Sequence, residues 1–204
     1  MNLELVSDQE ITNWNNYVGS HPESTVFHLF EWKNVIENSY NHEAYFNIAK
    51  NEGEVVGVLP LFLMKNKFLP QKLISSPFQN YGGPLANDEK ISNLLINETK
   101  KILNKLGVNV CEIRNNPLAK LESDILQEGT EKYFSSILDL TLGHERLWSN
   151  LNKKRRNSIR KSLNHPFKII KGRKHIKLLH SMYSTRMKEL GTPSHSLSFF
   201  KNIV

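Results

Sequence analysis

The sequence has very little cysteine, no long hydrophobic run and few acidic residues in its final third. Cys111 is the only cysteine, which excludes an internal disulfide and any metal site built from several thiolates. The longest apolar run, "VVGVLPLFLM" at 55–64, contains Pro60 and is far shorter than the ~20 residues that cross a bilayer. The opening "MNLELVSDQE" lacks the apolar core of an export signal, so we expect a cytoplasmic protein without a transmembrane segment.

Motifs that identify common chemistries are also missing. The histidines are scattered and form no H-E-x-x-H pattern, so we expect no metal site. Neither G-x-x-x-x-G-K-[ST] nor G-x-G-x-x-G after a strand is present, which excludes two familiar phosphate loops. The acyl-CoA loop, roughly [QR]-x-x-G-x-[GA] before a helix, is absent, as is a G-x-S-x-G elbow. Cys111 lies in an apolar run where we expect a buried, unreactive thiol. The catalytic residues stay unassigned.

Positive charge is concentrated towards one end of the chain. Residues 1–143 contain 12 Lys and Arg against 18 Asp and Glu, whereas 144–204 contain 15 against 2. A strongly basic segment favours an anionic partner, such as a nucleic acid, a phosphorylated substrate or a membrane surface. The alternative partner is an acidic surface of the same molecule, because the rest of the chain has a net negative charge.

Strand-like and helical patterns alternate along the chain, which favours an α/β or α+β fold. The composition of Glu52-Gly53 predicts a β-hairpin turn, and Ser7 or Asp8, Asp88 and Gly107 predict helix ends. Strands are predicted at 3–6, 43–51, 54–66, 72–78, 108–115, 133–140 and 167–172. Helices are predicted at about 8–18, 26–41, 88–106, 144–164 and 173–190, with a loop at 115–132. We expect one domain at 1–140 and the basic start of another at 141–204.

The segment "PFQNYGGPLAND" at 77–88 joins a predicted strand to the long predicted helix. Gly82 and Gly83 permit positive φ and a close backbone approach, and Pro84 stiffens the exit. Asn80 and Tyr81 would then present hydrogen-bonding groups beside that backbone, as the wall of a substrate cleft. The alternative is a tight strand-to-helix connection in which Tyr81 is packed, because glycine and proline also mark ordinary turns.

The segment "NLNKKRRNSIRKSLNH" at 150–165 is predicted to be a basic amphipathic helix. Lys153, Arg156 and Arg160 fall within one stripe of it. Guanidinium groups four residues apart can grip a phosphate or carboxylate in a bidentate way. The same pattern fits an RNA-binding helix or a solvated charged face. The segment lacks the interleaved aromatic residues that would support RNA binding.

Five segments together resemble a known family in their order and approximate spacing. They are "HPESTVFHLFEWKNVIE" (21–37), "GEVVGVLPLFLMK" (53–65), "SSPFQNYGGPLAND" (75–88), "NKKRRNSIRKS" (152–162) and "YSTRMKELGTPSHSLSFFKN" (183–202). They resemble FemAB-like proteins of the GNAT-related acyltransferase superfamily. The similarity is greatest to the subgroup associated with exosortase (PEP-CTERM) systems and extracellular polysaccharide.

The resemblance implies two GNAT-like domains related by duplication. Residues 1–140 would form most of the first, a mixed sheet flanked by helices, and 141–204 would open a second, incomplete domain. The missing C-terminal part would pack on 141–204 and hold much of the donor site, so we expect little or no catalysis from residues 1–204 alone. The apolar end "HSLSFFKNIV" independently predicts a chain that continues or is covered by another surface.

The resemblance also implies transfer of an acyl or aminoacyl group to an amine of a cell-envelope or exopolysaccharide precursor. The co-substrate would be acyl-CoA or aminoacyl-tRNA, with no tightly bound cofactor, and the residues do not choose between the two. Asn80 and Tyr81, with Trp32 nearby, would suit the acceptor cleft. Lys153, Arg156 and Arg160 would suit an anionic or nucleotide-linked part of the substrate. The competing hypothesis is a non-catalytic nucleic-acid or tRNA-binding module that uses 144–204.

Overall fold

The computed structural model describes residues 2–5, 10–66, 68–115 and 136–204. Within these residues the strands are β1 Asn2–Leu5, β2 Glu43–Asn51, β3 Glu54–Met64, β4 Lys72–Ile74, β5 Leu85–Ala86 and β6 Cys111–Glu112. The α-helices are α1 Ile11–Ser20, α2 Glu31–Tyr40, α3 Glu89–Leu106, α4 Gly143–Asn150, α5 Lys153–Leu163, α6 Ile176–Glu189 and α7 Leu197–Ile203. Short 3-10 turns occur at Val26–His28, Leu140–Leu142 and Arg173–His175.

The described strands form one mixed sheet in the order β1-β2-β3-β4-β6. Neighbouring strands are antiparallel except β4 and β6, which run parallel. The hairpin between β2 and β3 turns at Glu52 and Gly53, whose φ angles are 53° and 88°. The predicted hairpin and the predicted sheet flanked by helices are therefore both confirmed.

The second edge of β3 is shared by two short strands that leave a gap between them. Residues 62–64 pair with β4, whereas Gly57 and Val58 pair with β5. Pro60 lies opposite the gap, fully buried. Because proline has no N–H, residue 60 could not donate a hydrogen bond to a strand placed there. The chain from 75 to 84 leaves the sheet at this gap.

The sheet is covered on both faces, and side chains of β3 alternate between them. Val58 and Phe62 join a core with Trp14 and Ile36, on the face covered by α1 and α2. Leu59, Leu61 and Leu63 join the core under α3, which includes Ile91, Leu95 and Ile102. A central strand buried on both faces explains why 55–64 is a nearly continuous apolar run.

The last helix packs onto the first part of the chain. Phe199 of α7 is buried in the same core as Trp14 and Ile36. The amide of Asn202 donates to the hydroxyl of Ser39, 3.0 Å away, at the end of α2. Phe199 is therefore covered by residues of the same chain, chiefly those of α2. The expectation that the sequence continues, or meets a further surface here, stays a prediction.

Long helices and the hairpin follow the sequence prediction closely because their end signals are local. The side chain of Asp88 accepts a hydrogen bond from the backbone N–H of Ile91, and Gly107 ends α3 with φ of 65°. The expected caps Ser7 and Asp8 lie outside the described residues, and α1 begins at Ile11. Most of the predicted loop 115–132 also lies outside them.

Three predictions between residues 133 and 172 differ from the described structure. The predicted strand 133–140 has no regular structure at 136–139, and 133–135 lie outside the described residues. The predicted helix 144–164 is broken between α4 and α5, because Asn152 adopts an extended backbone and caps a new helix through the N–H of Arg155. The predicted strand 167–172 is exposed and irregular, and no described strand pairs with it.

Candidate functional site

The excursion 75–84, which we call the gap loop, is held against the extension of β6. The backbone N–H of Gly82 donates to the carbonyl oxygen of Arg114 at 2.9 Å. The N–H of Arg114 donates to the hydroxyl of Ser75 at 2.8 Å, and its guanidinium donates to the carbonyl of Gln79 at 3.0 Å. These bonds fix both ends of the gap loop relative to the sheet.

The two glycines of the gap loop are needed for close approach rather than for positive φ. A Cβ on Gly82 would lie 1.9 Å from the hydroxyl oxygen of Ser76, and one on Gly83 would lie 2.6 Å from the amide oxygen of Asn115. Neither glycine has positive φ; Ser76 (46°) and Phe78 (67°) do. Positive φ costs a non-glycine residue roughly 1–3 kcal/mol of conformational free energy. The contacts of the gap loop therefore hold Phe78 in a strained backbone conformation.

His28 ties the gap loop to the start of α2. Its Nε2 donates to the carbonyl oxygen of Gly83 at 3.1 Å, and its Nδ1 accepts from the N–H of Thr25 at 3.1 Å. Trp14 donates from its indole N–H to the carbonyl of His28 at 2.6 Å. Burial lowers the pKa of His28 to about 4, so its imidazole is neutral at pH 7 and both nitrogens serve the fold.

Five aromatic and imidazole side chains meet where the gap loop, α2 and α7 come together. We call this cluster the aromatic junction: Tyr40, His42, Phe78, His195 and Phe199. Phe78 lies 4.8 Å from the ring of Tyr40 and 5.4 Å from that of His195, yet 41% of it is exposed. A partly exposed group of rings supplies flat apolar surface with polar edges, which suits a small organic ligand.

Of the predicted acceptor-cleft residues, Trp32 borders this junction, and Asn80 and Tyr81 lie in the gap loop that carries Phe78. Trp32 packs against Phe27 at 5.2 Å and against Phe199 at 6.2 Å, so it borders the junction directly. Asn80 is exposed two residues beyond Phe78 in the gap loop. The hydroxyl of Tyr81 is buried and has no hydrogen-bond partner in the described part of the chain. Tyr81 is thus packed, as the turn alternative expected, but its oxygen is left unsatisfied.

The predicted anion-binding residues lie on a separate element, α5. Lys153 and Arg160 are exposed. The guanidinium of Arg156 donates to the carbonyl oxygens of Ser149 and Leu151, the first at 2.9 Å, and Arg160 lies 5.5 Å above the ring of Trp148. These contacts tie α5 to α4 and to the turn between them. The structure therefore brings Trp32 to the junction, whereas Lys153 and Arg160 of α5 are exposed and Arg156 is partly buried against the turn between α4 and α5.

Sequence reasoning missed most of the aromatic junction. The histidines were considered as metal ligands, and within 2–5, 10–66, 68–115 and 136–204 no group of His, Cys, Asp or Glu is arranged to hold a metal ion. His42 and His195 are 153 positions apart in the sequence, so only the fold brings them to Phe78. Cys111 is half-buried with its pKa raised to about 12, chiefly by burial, which agrees with the expected unreactive thiol.

Comparison with solved structures finds similarity over the whole chain. FemX is 18% identical to this chain, with a TM-score of 0.66 over 100% of this chain and 54% of the FemX chain. The chain shares the fold of FemX. It spans about half the length of that protein. No family model and no curated protein sequence matches this chain.

Two acetyltransferases match more weakly. Ribosomal-protein-alanine N-acetyltransferase from Brucella melitensis biovar Abortus 2308 is 9% identical, with a TM-score of 0.47 over 68% of this chain and 100% of its own. Aminoglycoside 6'-N-acetyltransferase AAC(6')-IG from Acinetobacter haemolyticus is 14% identical, with a TM-score of 0.43 over the same shares. These scores are too low to support a conclusion. No described helix has the length and hydropathy needed to cross a bilayer.

Proposed function

We propose that this chain is the acceptor-binding part of an acyl- or aminoacyltransferase of FemAB type. Its reaction would form an amide on an amine of a cell-envelope or exopolysaccharide precursor, as in the resemblance to the PEP-CTERM-associated subgroup. The observation that carries the proposal is the FemX fold over the whole chain, with a partly exposed aromatic junction beside Trp32. The fold alone does not define a reaction, so the junction and its tests carry the functional part.

The chemistry requires two substrates to meet in one orientation. The acceptor amine attacks the carbonyl of an ester or thioester, a C–N bond forms, and the C–O or C–S bond breaks. The amine loses one proton, and the departing oxygen or sulfur takes one up to leave as an alcohol or thiol. Acyl-CoA and aminoacyl-tRNA both remain candidate donors. Both carry phosphates, which the exposed cations of α5 would attract.

We assign the acceptor to the junction and the anionic part of a substrate to α5. Trp32 borders the junction, and Asn80 and Tyr81 follow Phe78 in the gap loop. The buried, unsatisfied Tyr81 hydroxyl is a group that a bound polar ligand or water would satisfy. Lys153 and Arg160 are exposed, and the ion pairs of the described residues include neither, so both can meet phosphate; Arg160 does so from above the ring of Trp148. Arg156 also stabilises the turn between α4 and α5.

The division into domains 1–140 and 141–204 belongs to the same proposal. The chain covers about half of FemX, and 141–204 carries apolar side chains that nothing in the described structure covers, such as Phe167 (71% exposed) and Ile169 (84%). We propose that the remainder of a second GNAT-like domain packs on 141–204 and completes the donor site. Residues 1–204 alone are then expected to bind acceptor with little or no turnover.

Calorimetry with UDP-glucosamine tests whether α5 binds the anionic part of a substrate, because this probe combines an amine, a sugar and a pyrophosphate. We expect Arg160→Ala and Lys153→Ala each to weaken binding several-fold, since each removes a contact between a charged donor and phosphate. Lys100→Ala and Lys105→Ala, two exposed positions on α3, are the matched controls and should leave binding unchanged. Equal affinity in all four variants would remove α5 from the site.

A nucleic-acid-binding module is the second candidate, and one observation favours it. Six cations lie on the eleven residues of α5, and the described ion pairs include none of them: Lys153, Lys154, Arg155, Arg156, Arg160 and Lys161. The association constant for a short single-stranded RNA would then fall steeply with salt: a plot of its logarithm against the logarithm of salt concentration should have a slope of about −0.7 for each phosphate neutralised. Tight, salt-sensitive RNA binding without any UDP-glucosamine binding would favour this candidate over the transferase.

A further inference from the structure

His195 is held in the aromatic junction by several contacts. Its ring stacks on Phe199, with centroids 4.3 Å apart and planes 22° apart, and meets the strained Phe78 edge-on at 5.4 Å. Its carbonyl oxygen accepts a hydrogen bond from Nε2 of His180 at 2.9 Å. Its Nδ1 lies 2.5 Å from the hydroxyl oxygen of Tyr40. The imidazole is therefore fixed by one nitrogen, one face and its backbone.

The second nitrogen, Nε2, has no hydrogen-bond partner in the described part of the chain, although His195 is only half-buried. Of the two groups in the short contact, the phenol is the stronger hydrogen-bond donor and the neutral imidazole nitrogen the stronger acceptor. We therefore assign the phenolic hydrogen of Tyr40 to the bond with Nδ1 of His195. Since a neutral imidazole carries one hydrogen, a bond accepted at Nδ1 places that hydrogen on Nε2.

We propose that His195 is an acceptor-binding residue whose Nε2–H donates a hydrogen bond to an oxygen of the bound acceptor, and that Tyr40 is the residue that positions it. This inference rests on the proposed acceptor site. The oxygen belongs to a hydroxyl, carbonyl, carboxylate or phosphate of the acceptor, all of which accept from a neutral N–H. The role differs from general base catalysis, because a nitrogen that carries a hydrogen cannot take one from the amine.

The tautomer of His195 can be measured without any ligand. In nitrogen-15 NMR spectra at pH 8, we expect Nε2 to be protonated and Nδ1 to be the bare nitrogen. Tyr40→Phe removes the donor to Nδ1, so the two tautomers should mix and the pKa of His195 should rise. Tyr45→Phe is the matched control, because the hydroxyl of Tyr45 donates to Glu43 instead. A hydrogen on Nδ1 in the unmodified protein would overturn the proposal.

Binding of UDP-glucosamine tests the contact itself. His195→Phe keeps a stacking ring without the donor, and we expect an affinity loss of about fivefold to tenfold, the usual value of one neutral hydrogen bond. His195→Gln restores an N–H donor and should recover part of the loss, whereas His144→Phe, an exposed position on α4, should have no effect. Unchanged affinity in His195→Phe overturns this inference and leaves the acceptor site standing. Failure of the unmodified protein to bind the probe overturns both.

Discussion

The Nε2 atom of His28 lies 3.1 Å from the carbonyl oxygen of Gly83 and joins the turn before α2 to the gap loop, 55 residues further along the chain. Because His28 is buried and Trp14 bonds its carbonyl oxygen, this contact belongs to the core as well as to the candidate site. The position of Phe78 in the aromatic junction therefore depends on a neutral buried histidine.

Stability should fall as the pH falls below about 6.5. The pKa of His28 is about 4 in the folded protein and near 6.5 when unfolded, so the unfolded chain binds the proton first. Its stabilising contribution is complete above about pH 6.5 and is lost between there and about pH 4. The free energy of unfolding should drop by roughly 3 kcal/mol over this window from His28 alone.

Urea unfolding at several pH values measures this effect. His28→Gln should have lower stability at pH 7.5 and a flatter dependence on pH between 6.5 and 4. Some dependence of stability on pH should remain in this variant, with the same sign and a smaller slope, because burial also lowers the pKa values of His42 and His195. An unmodified protein whose stability is constant across the window would show that His28 is not buried as a neutral group.

Gly82→Ala should destabilise the protein by about 1–3 kcal/mol, because the added methyl group overlaps Ser76. Ser76→Gly removes both that side chain and the cost of its positive φ, so the double variant should regain most of the loss. Gly19→Ala on the exposed end of α1 meets no neighbouring atom and should be stabilising by up to about 1 kcal/mol. Additive effects of the two gap-loop substitutions would contradict the close contact.

Two helix caps with similar geometry should differ in their effect on stability. Asp88→Ala removes the acceptor for the N–H of Ile91 at the start of α3 and should cost about 1 kcal/mol in global unfolding. Asn152→Ala removes the acceptor for the N–H of Arg155, but α5 buries no side chain. The Asn152→Ala variant should therefore show faster hydrogen exchange in α5 and a nearly unchanged free energy of global unfolding. Equal losses would mean that α5 is part of the main cooperative unit.

Cys111 should resist alkylation while the protein is folded. Burial and the neighbouring Glu112 raise the pKa of its thiol to about 12, so the thiolate is scarce at pH 8. We expect slow modification by iodoacetamide in buffer and rapid modification in urea, followed by mass spectrometry. Fast labelling of the folded chain would contradict the described packing of β6 under α3.

Much of the first part of the fold could be read from local signals. Glu52-Gly53, Asp88 and Gly107 mark a turn and two helix ends within a few residues, and the structure confirms each. The strand prediction at 167–172 was wrong because a strand needs a neighbour, and the hydrophobic pattern alone does not supply one. The break at Asn152 was missed because a capping side chain competes with a helical pattern that continues through it.

The candidate site was predictable only in its loop and its tryptophan. The Gly82-Gly83 pair predicted that the backbone comes close to other groups, which the structure shows to be Ser76 and Asn115. Trp32 lay on an apolar helical stripe, and the structure places it against Phe199. Nothing in the sequence joins Tyr40 to His195, since 155 positions separate them and the contact depends on α7 packing against α2. The cations of α5 were visible in the sequence, and their relation to the junction remains part of the proposal.

The most direct test of the account is a nitrogen-15 NMR titration of the 204-residue chain with UDP-glucosamine, with all backbone amides assigned. If the junction binds the acceptor, the largest shifts should fall at 32–42, 76–82 and 195–200, with a second group on α5. Saturable shifts confined to α5, or shifts elsewhere on the sheet, would contradict an acceptor site where the gap loop, α2 and α7 meet.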